Sequence, residues 1–202
     1  MIRTVKEALA FVRRHGAVPM TPAGDLPCFV TAVARQVVKG SWWGHPKGAL
    51  IYDLANGLHN SSEVCWLPLI DGKGTFLHRS VMPALYRVVS DAGWRKSRIR
   101  DLAALERRLL AAVVRAGTLR PDEWAHRNAA DSKALKKAKD RLAAELLVKS
   151  GNVHTDTGNH ATVLTDWSRV ASADVRRAAK GLTLEEAREV LQARCGGRAS
   201  TL

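Results

Sequence analysis

The sequence has only three cysteines, no long apolar run and fewer acidic than basic side chains. Cys28, Cys65 and Cys195 are too few and too scattered for a disulfide framework or a cysteine-rich zinc site, which favours a reducing compartment. No window of about 18 apolar residues is present, so we expect no transmembrane helix and no membrane partner. Residues 1–7 are typical of the start of a helix rather than of a signal peptide. A cytoplasmic protein is therefore expected.

Signatures of the common enzyme classes are also absent. The chain contains no Gly-x-x-x-x-Gly-Lys-Ser/Thr loop for phosphates, no Gly-x-Ser-x-Gly elbow and no His-Glu-x-x-His metal motif. Its Asp and Glu residues form no cluster suited to two-metal chemistry. The sequence thus gives no reason to expect a cofactor or a metal, and it leaves open whether the chain is an enzyme.

Positive charge is abundant and spread along the chain. The 202 residues include 32 Lys and Arg against 19 Asp and Glu, a formal net charge of +13. Residues 1–100 hold 14 basic and 6 acidic side chains, and residues 101–202 hold 18 and 13. Distributed positive charge on a folded protein attracts a polyanion, most commonly nucleic acid. A generally basic protein whose charge only confers solubility remains the alternative.

The hydrophobic fraction of 46% is sufficient for one large or two small domains, and periodicity predicts the elements of each half. Pro68 lies in a predicted strand, where it lacks a ladder donor, so we expect an edge or a bulge there. In the first half we predict helices 5–15, 29–38 and 46–58, strands 64–70 and 75–78, and a helix 83–92. In the second half we predict a helix 102–116, a second helix that opens at residues 121–124, a helix 132–146, hairpin arms 147–149 and 161–165, and a final helix 184–194. Trp167 is expected to close the second core.

Both halves share one order of elements: helix, short extended piece, helix, helix, hairpin. The first helix of each half ends in similar residues, Gly16 to Pro19 and Gly117 to Pro121. This order resembles the winged helix, a helix-turn-helix variant with a β-hairpin wing. We therefore predict a mainly α protein with small β-hairpins and two winged-helix-like units, at residues 1–92 and 101–170. Residues 93–100 would be a basic linker and residues 171–202 a helical extension. Two helical bundles with incidental hairpins remain the alternative.

The winged-helix resemblance implies duplex DNA as the partner, with RNA less favoured. The third helix of such a unit enters the major groove. In the second half that helix carries Lys133, Lys136 and Lys137, whose spacing suits phosphate contacts, and Arg141, the one side chain there able to read a base by paired donors. A solvated lysine-rich face is the alternative. Further predicted contacts are Arg95, Lys96, Arg98 and Arg100 of the basic run and His154, Asn159 and His160 of the wing. The oligomeric state is not predicted.

The segment 41–48 is the least generic in the chain. Its Trp42, Trp43, His45 and Lys47 could line a pocket with Lys73 and Arg79, or a tryptophan could stack on an unpaired base. Alternatively Trp42, Trp43 and Trp66 form one aromatic core cluster, and His45 fixes a turn.

Two histidines allow a second functional hypothesis. If the first hairpin folds back on the third helix, His45 and His78 could share a cleft and perform acid–base phosphodiester chemistry. The alternative function is then a nucleic-acid-processing enzyme of glycosylase or nuclease type. His154, Asp156 and His160 could begin a metal site, but no fourth ligand is evident. A third hypothesis is a protein–protein module.

Overall fold

The computed structural model describes residues 2–128, 131–154 and 160–199, which form two compact units. Unit 1 comprises residues 2–85 and 185–199, and unit 2 comprises residues 86–184. Both are mainly helical, and each contains a small three-stranded antiparallel sheet. The predicted fold class, mainly α with small β-hairpins, is confirmed. No helix in the described residues is both long and apolar enough to cross a membrane.

The first half begins with a well-capped helix. The Thr4 hydroxyl accepts the Glu7 N–H at 3.2 Å, and the Glu7 carboxylate accepts the Thr4 N–H at 3.0 Å, so two N-terminal donors are satisfied. A one-turn 3₁₀ helix, Trp42–Gly44, follows α2. The elements are α1 Val5–His15, β1 Ala17–Pro19, α2 Phe29–Ala34, α3 Gly48–His59, β2 Val64–Ile70, β3 Lys73–His78, α4 Met82–Val89 and α5 Ala92–Arg100.

The sheet of unit 1 has the order β1-β3-β2, with all neighbours antiparallel. Phe76 on the central strand lies opposite both Val18 and Trp66, and it packs on Phe29 of α2 with ring centroids 5.0 Å apart. Strand β2 is at the edge, and its register shifts between Pro68 and Ile70. The prediction of an edge or a bulge at Pro68 is thus confirmed.

The second half repeats this order. Strands β4 (Thr118–Leu119), β6 (His160–Thr165) and β5 (Lys149–His154) lie side by side in that order, and Leu119 pairs with Leu164 as Val18 pairs with Phe76. The core prediction for Trp167 is confirmed: the indole is 2% exposed and donates to the Leu146 carbonyl at 2.6 Å. The elements are α6 Ala104–Ala116, β4 Thr118–Leu119, α7 Pro121–Asn128, α8 Ser132–Ala144, β5 Lys149–His154, β6 His160–Thr165, α9 Trp167–Val170, α10 Ala173–Lys180 and α11 Leu184–Cys195.

The repeat includes matched backbone details. Gly16 and Gly117 end the first helix of each half at φ +79° and +77°, a region that disfavours a side chain. Each donates its N–H to the carbonyl four residues earlier, at 2.8 and 2.7 Å. Each carbonyl then accepts an N–H from the end of the central strand, that of His78 at 2.7 Å and that of Asp166 at 2.8 Å. The similarity of the two halves therefore extends from element order to individual hydrogen bonds.

The similarity continues beyond the hairpins, where a short helical turn and two helices follow in each half. The second helix of each pair belongs to the unit built on the other half: α5 belongs to unit 2, and α11 after Leu184 belongs to unit 1. Arg98 on α5 pairs with Glu145 at 3.0 Å, whereas Arg198 after α11 pairs with Asp71 at 3.0 Å. Unit 1 is therefore made from two separate stretches of chain, whereas the described part of unit 2 is one continuous stretch.

Several predicted boundaries differ from the structure, and the first hairpin arm of the second half is Lys149–His154 rather than 147–149. Helix α2 ends at Ala34 rather than residue 38, because Arg35 adopts a left-handed conformation. The predicted linker 93–100 is the helix α5, since Asp91 caps it by accepting the Trp94 N–H at 2.9 Å and Trp94 is buried. The predicted extension 171–202 is divided, with α10 in unit 2 and most of α11 in unit 1.

Candidate nucleic-acid interface

Helix α8 has one buried and one lysine-bearing face. Leu135, Ala138 and Leu142 are buried at helical spacing. Lys133, Lys136 and Lys137 are all exposed, and their spacing of three and four residues places them on the opposite surface. The Asp131 carboxylate caps the helix by accepting the Ala134 N–H at 2.7 Å. The predicted lysine face is therefore presented to solvent by a well-formed helix.

The charges of this face are not neutralised within the described part of the chain. None of the three lysines forms an ion pair or a side-chain hydrogen bond with another described residue. Asp140 is the exposed acidic residue one turn further along. Because an exposed ammonium without a carboxylate partner keeps its full attraction for an anion, this surface can contact successive phosphates.

The remaining basic residues of α8 are held by neighbours. Lys139 donates to the Thr162 hydroxyl on β6 at 2.9 Å, tying the helix to the sheet. Arg141 donates to the Asp101 carbonyl at 3.0 Å and lies 3.7 Å from the Glu106 carboxylate. The paired donors of Arg141 are therefore engaged with the protein, and its assignment to a DNA contact stays a prediction that requires their release.

The hairpin of unit 2 is formed by strands β5 and β6. Strands β5 and β6 are in register from Lys149↔Thr165 to His154↔His160, so both wing histidines lie at the tip. Asn159 and Asp156 lie outside the described residues. Within the described ranges no group of three His, Cys, Asp or Glu residues is arranged to hold a metal ion.

The basic run of α5 is used mainly inside unit 2. Arg98 lies over the Trp94 ring at 5.5 Å and pairs with Glu145. Arg95 donates to the Val89 carbonyl at 3.3 Å. Arg100 lies 3.3 Å from Asp101, with both side chains largely exposed, and Lys96 is exposed. Of the four predicted contacts, Lys96 and Arg100 are the two that project most freely to solvent.

In unit 1 the adjacent tryptophans form a small aromatic cluster with a third ring. Trp42 and Trp43 stack with centroids 4.2 Å apart and planes at 22°, and Trp43 lies 5.3 Å from Tyr52 of α3. Trp42 packs against the core, whereas Trp43 is 62% exposed. Trp66 makes its ring contacts with His59 and Phe76 instead. The prediction of a single cluster of Trp42, Trp43 and Trp66 is therefore wrong.

His45 and Lys47 stabilise the loop before α3. The His45 Nδ1 accepts the Lys47 N–H at 3.1 Å, and its Nε2 lies 2.9 Å from the Gln36 side-chain amide nitrogen. Lys47 Nζ donates to the Val33 and Ala34 carbonyls at 3.2 and 3.1 Å, at the end of α2. These contacts support the interpretation of His45 as a residue that fixes a turn. Lys47 closes α2 in the sense that its ammonium group binds the last carbonyl oxygens of that helix.

The other predicted pocket residues have different surroundings. Lys73 Nζ donates to the Pro22 carbonyl. Arg79 is exposed, and its N–H donates to the Glu63 carbonyl at 2.7 Å. No described hydrogen bond or ion pair links either residue to Trp42, Trp43 or His45.

His78 caps the 3₁₀ turn Arg79–Val81. Its Nδ1 accepts the Ser80 N–H at 3.2 Å and lies 2.8 Å from the Ser80 hydroxyl. In the second half, Asp166 makes the same pair of contacts with Ser168, at 3.0 and 2.6 Å. The repeat therefore shows that this position has a capping role, which a carboxylate fills equally well.

The electrostatics of His78 are those of a buried neutral ring. Burial lowers the pKa of His78, and the charge of Arg13 lowers it further, while Glu63 raises it. Its Nε2 lies 3.7 Å from the Glu63 carboxylate, which itself pairs with Arg13 at 2.7 Å. No described contact joins His78 to His45, so the arrangement gives no support for the predicted pair of catalytic histidines.

Comparison of the chain with protein-family models, with curated proteins and with solved structures gives no match. Its function must therefore be argued from its own residues. Sequence reasoning missed Tyr52 and the exposed Arg35 and Lys39, which precede the tryptophans in the same loop. The signal for Tyr52 was present, because the buried stripe Ile51, Leu54 and Leu58 places residue 52 on the outer surface of α3.

Proposed function

We propose that the protein binds duplex DNA through its phosphates, using the lysine face of α8. The observation that carries this proposal is the set of three exposed lysines, Lys133, Lys136 and Lys137, on one side of a capped helix and without an ion-pair partner among the described residues. Lysine ammonium groups at this spacing suit a row of phosphates.

The setting of α8 supports the same proposal. It is the third helix of the second half, counted from α6, and the order of elements and strands there, with β6 between β4 and β5, is in keeping with the winged-helix resemblance. In that arrangement the third helix is the one that meets the groove. The net charge of +13 adds a long-range attraction for any polyanion.

The proposed binding has low sequence specificity. Lysine is a point charge that pairs with phosphate, whereas recognition of a base edge needs paired donors such as those of arginine, asparagine or glutamine. Arg141 is the candidate on α8, and its guanidinium is engaged with Asp101 and Glu106. Lys96 and Arg100 on α5, and the wing at His154, Asn159 and His160, are secondary contacts in this proposal.

The test is the salt dependence of binding to a random-sequence duplex. Replacement of Lys133, Lys136 and Lys137 by alanine should weaken duplex binding about 10- to 100-fold at 0.1 M salt, because each lost phosphate contact removes about one released counterion. The slope of log affinity against log salt should become shallower by about 2 to 3. Fluorescence anisotropy of a labelled duplex across a salt series measures both.

A matched control separates this face from net charge. Lys6, Arg115 and Lys180 are exposed and lie on α1, α6 and α10, so their triple alanine variant loses the same three charges elsewhere. It should retain most of the affinity and the slope. Equal losses in both variants would show attraction by net charge without an interface at α8, and no duplex binding by the native protein would reject the proposal. An RNA duplex of the same sequence distinguishes the two nucleic acids.

A further inference from the structure

The exposed ring of the aromatic cluster in unit 1, that of Trp43, forms a flat surface that we call the platform. Trp43 is 62% exposed, yet one of its faces is supported by Trp42, which packs against the core. Tyr52, itself 45% exposed, lies beside Trp43 with centroids 5.3 Å apart. A large ring with one supported face and one solvent-facing surface is the geometry on which a flat ligand stacks.

The backbone holds this platform in place before any ligand binds. The Trp42–Gly44 turn is closed by the His45 N–H, which donates to the Trp42 carbonyl at 3.1 Å, and the Gly48 N–H donates to the His45 carbonyl at 2.7 Å. A β-carbon at Gly48 would lie 2.8 Å from the Trp43 carbonyl oxygen, so glycine permits the close approach of this turn to α3. The stacking surface is therefore preorganised, which lowers the entropic cost of binding.

The loop that carries Trp42 and Trp43 is basic. Residues 35–47 contain Arg35, Lys39 and Lys47 and no acidic residue. Lys47 is used to close α2, but Arg35 and Lys39 are exposed and form no hydrogen bond or ion pair with another described residue through their side chains. An exposed aromatic ring and free cations in one loop are the combination found in proteins that bind single-stranded nucleic acid.

The exposed residues of α3, the third helix of unit 1, disfavour binding of a duplex at the platform. Its exposed residues are Ala49, Tyr52, Asp53 and His59, none of them Lys or Arg, so α3 offers no row of phosphate contacts like that of α8. A protein partner would also favour exposed Trp and Tyr, but the free cations in the loop that carries Trp43 favour a polyanion. The occupant that satisfies both the ring and the charge is an unpaired nucleotide.

We propose that unit 1 binds single-stranded nucleic acid by stacking an unpaired base on Trp43, with the phosphate backbone near Arg35 and Lys39. This inference rests on the proposed nucleic-acid partner and adds to it a second site of different chemistry. Unit 2 would then hold duplex while unit 1 holds an unpaired strand.

The test compares Trp43 variants on a short oligothymidylate. Trp43→Ala should weaken single-strand binding about 5- to 150-fold, which corresponds to the 1–3 kcal/mol of one base–aromatic stack. Trp43→Tyr should restore most of the loss, whereas Trp43→Leu, which keeps apolar area without the ring, should not. Because Trp43 is largely exposed, all three variants should keep the native thermal midpoint.

Val37→Ala is the matched control, since Val37 is an apolar side chain of the same loop and is 69% exposed. It should leave single-strand affinity unchanged. Inorganic polyphosphate, which has charge but no bases, should bind native protein and Trp43→Ala equally. Equal single-strand affinity of native protein and Trp43→Ala would overturn the inference, as would Trp43→Leu binding as well as Trp43→Tyr. A change of oligomeric state on loss of the ring, without a change in single-strand affinity, would assign the surface to self-association and overturn it too.

The two proposals fail separately. Duplex binding that depends on the α8 lysines, together with single-strand binding that ignores Trp43, rejects only this inference. Trp43-dependent single-strand binding without duplex binding rejects only the proposed function. Absence of both kinds of binding rejects both.

Discussion

The third helices of the two halves, α3 and α8, have the same pattern of buried residues but different exposed residues. The buried residues Ile51, Leu54 and Leu58 of α3 have the same spacing as Leu135, Ala138 and Leu142 of α8. The residues outside these stripes correspond as well. Ala49, Tyr52 and Asp53 on α3 occupy the places of Lys133, Lys136 and Lys137 on α8.

This difference shows how a repeated fold acquires two chemistries. The buried stripe is constrained by packing in both units, because a change of volume in a close-packed core is destabilising. The outer surface has no such constraint, so one copy presents cations and the other an aromatic platform. Fold similarity within the chain therefore says little about what each unit binds, and the surface residues decide it.

The helix caps show the same divergence on a smaller scale. Asp131 at the start of α8 accepts a backbone N–H, while the corresponding Lys47 before α3 makes no cap and instead donates to the end of α2. His78 and Asp166 are interchangeable as caps but differ in charge. Both halves therefore have a side-chain cap at the position of His78 and Asp166. At the position of Lys47 and Asp131 only Asp131 caps its helix, and Lys47 makes a different contact.

The largest expected effect is on stability. It distinguishes the residue that follows His78 from the residue that follows Asp166. Trp167 is buried in unit 2, whereas Arg79 at the matching place in unit 1 is exposed. Trp167→Ala should destabilise unit 2 by about 3–5 kcal/mol, because it leaves a cavity and an unpaired Leu146 carbonyl. Arg79→Ala should cost less than about 1 kcal/mol. Amide hydrogen exchange of peptides from each unit measures both, and equal losses would show that the two positions are not structurally distinct.

A graft of the α8 surface onto α3 tests whether the exposed residues alone set the chemistry. Ala49→Lys, Tyr52→Lys and Asp53→Lys together should steepen the salt dependence of duplex binding by about 2 to 3 in slope. Glu189→Lys, Val190→Lys and Gln192→Lys on α11 add the same charge to exposed positions and should steepen it less. Indistinguishable slopes for the two variants would mean that only net charge matters.

Sequence patterns predicted the parts of the fold that depend on local chemistry. The bounds of α1 and β2 agree with the structure, because a capping box, a terminal glycine and an edge proline are local signals. The linker prediction for 93–100 was wrong because it was based on the many basic residues there. It took no account of the buried Trp94 or of the capping Asp91. The assignment of α11 to unit 1 depends on contacts between distant residues, which local patterns do not contain.

The candidate sites divide in the same way. Helical spacing placed Lys133, Lys136 and Lys137 on the surface, as the structure has them. It could not show that Arg141 is engaged by Asp101 and Glu106, that Lys47 closes α2, or that Tyr52 joins Trp43. Each of these depends on where another segment of the chain lies in space.

The smallest expected effect is a difference in pH response between the units. In unit 1 the pKa of His78 is lowered by burial and by Arg13, and the pKa of His15 is lowered by burial and by Arg14 and Arg194. The unfolded chain therefore binds protons at these histidines more tightly than the folded unit does. Stability should be full above the ordinary histidine value of 6.5 and should decrease as the pH falls below it.

Unit 2 should respond at lower pH. The pKa values of Asp91 and Asp122 are lowered, by a backbone N–H bond from Trp94 and by Arg120 respectively, so their contribution is lost only as the pH falls below about 4. Hydrogen exchange at about pH 7 and pH 5, after correction for the intrinsic rate, should thus show a loss of protection in peptides of unit 1. His78→Asn keeps a capping side chain without a titrating ring and should reduce that loss, leaving the part due to His15. An unchanged pH response in this variant would show that protonation of His78 does not affect the stability of unit 1. His78 and Asp166 would then differ in shape but not in their effect on the pH dependence of stability.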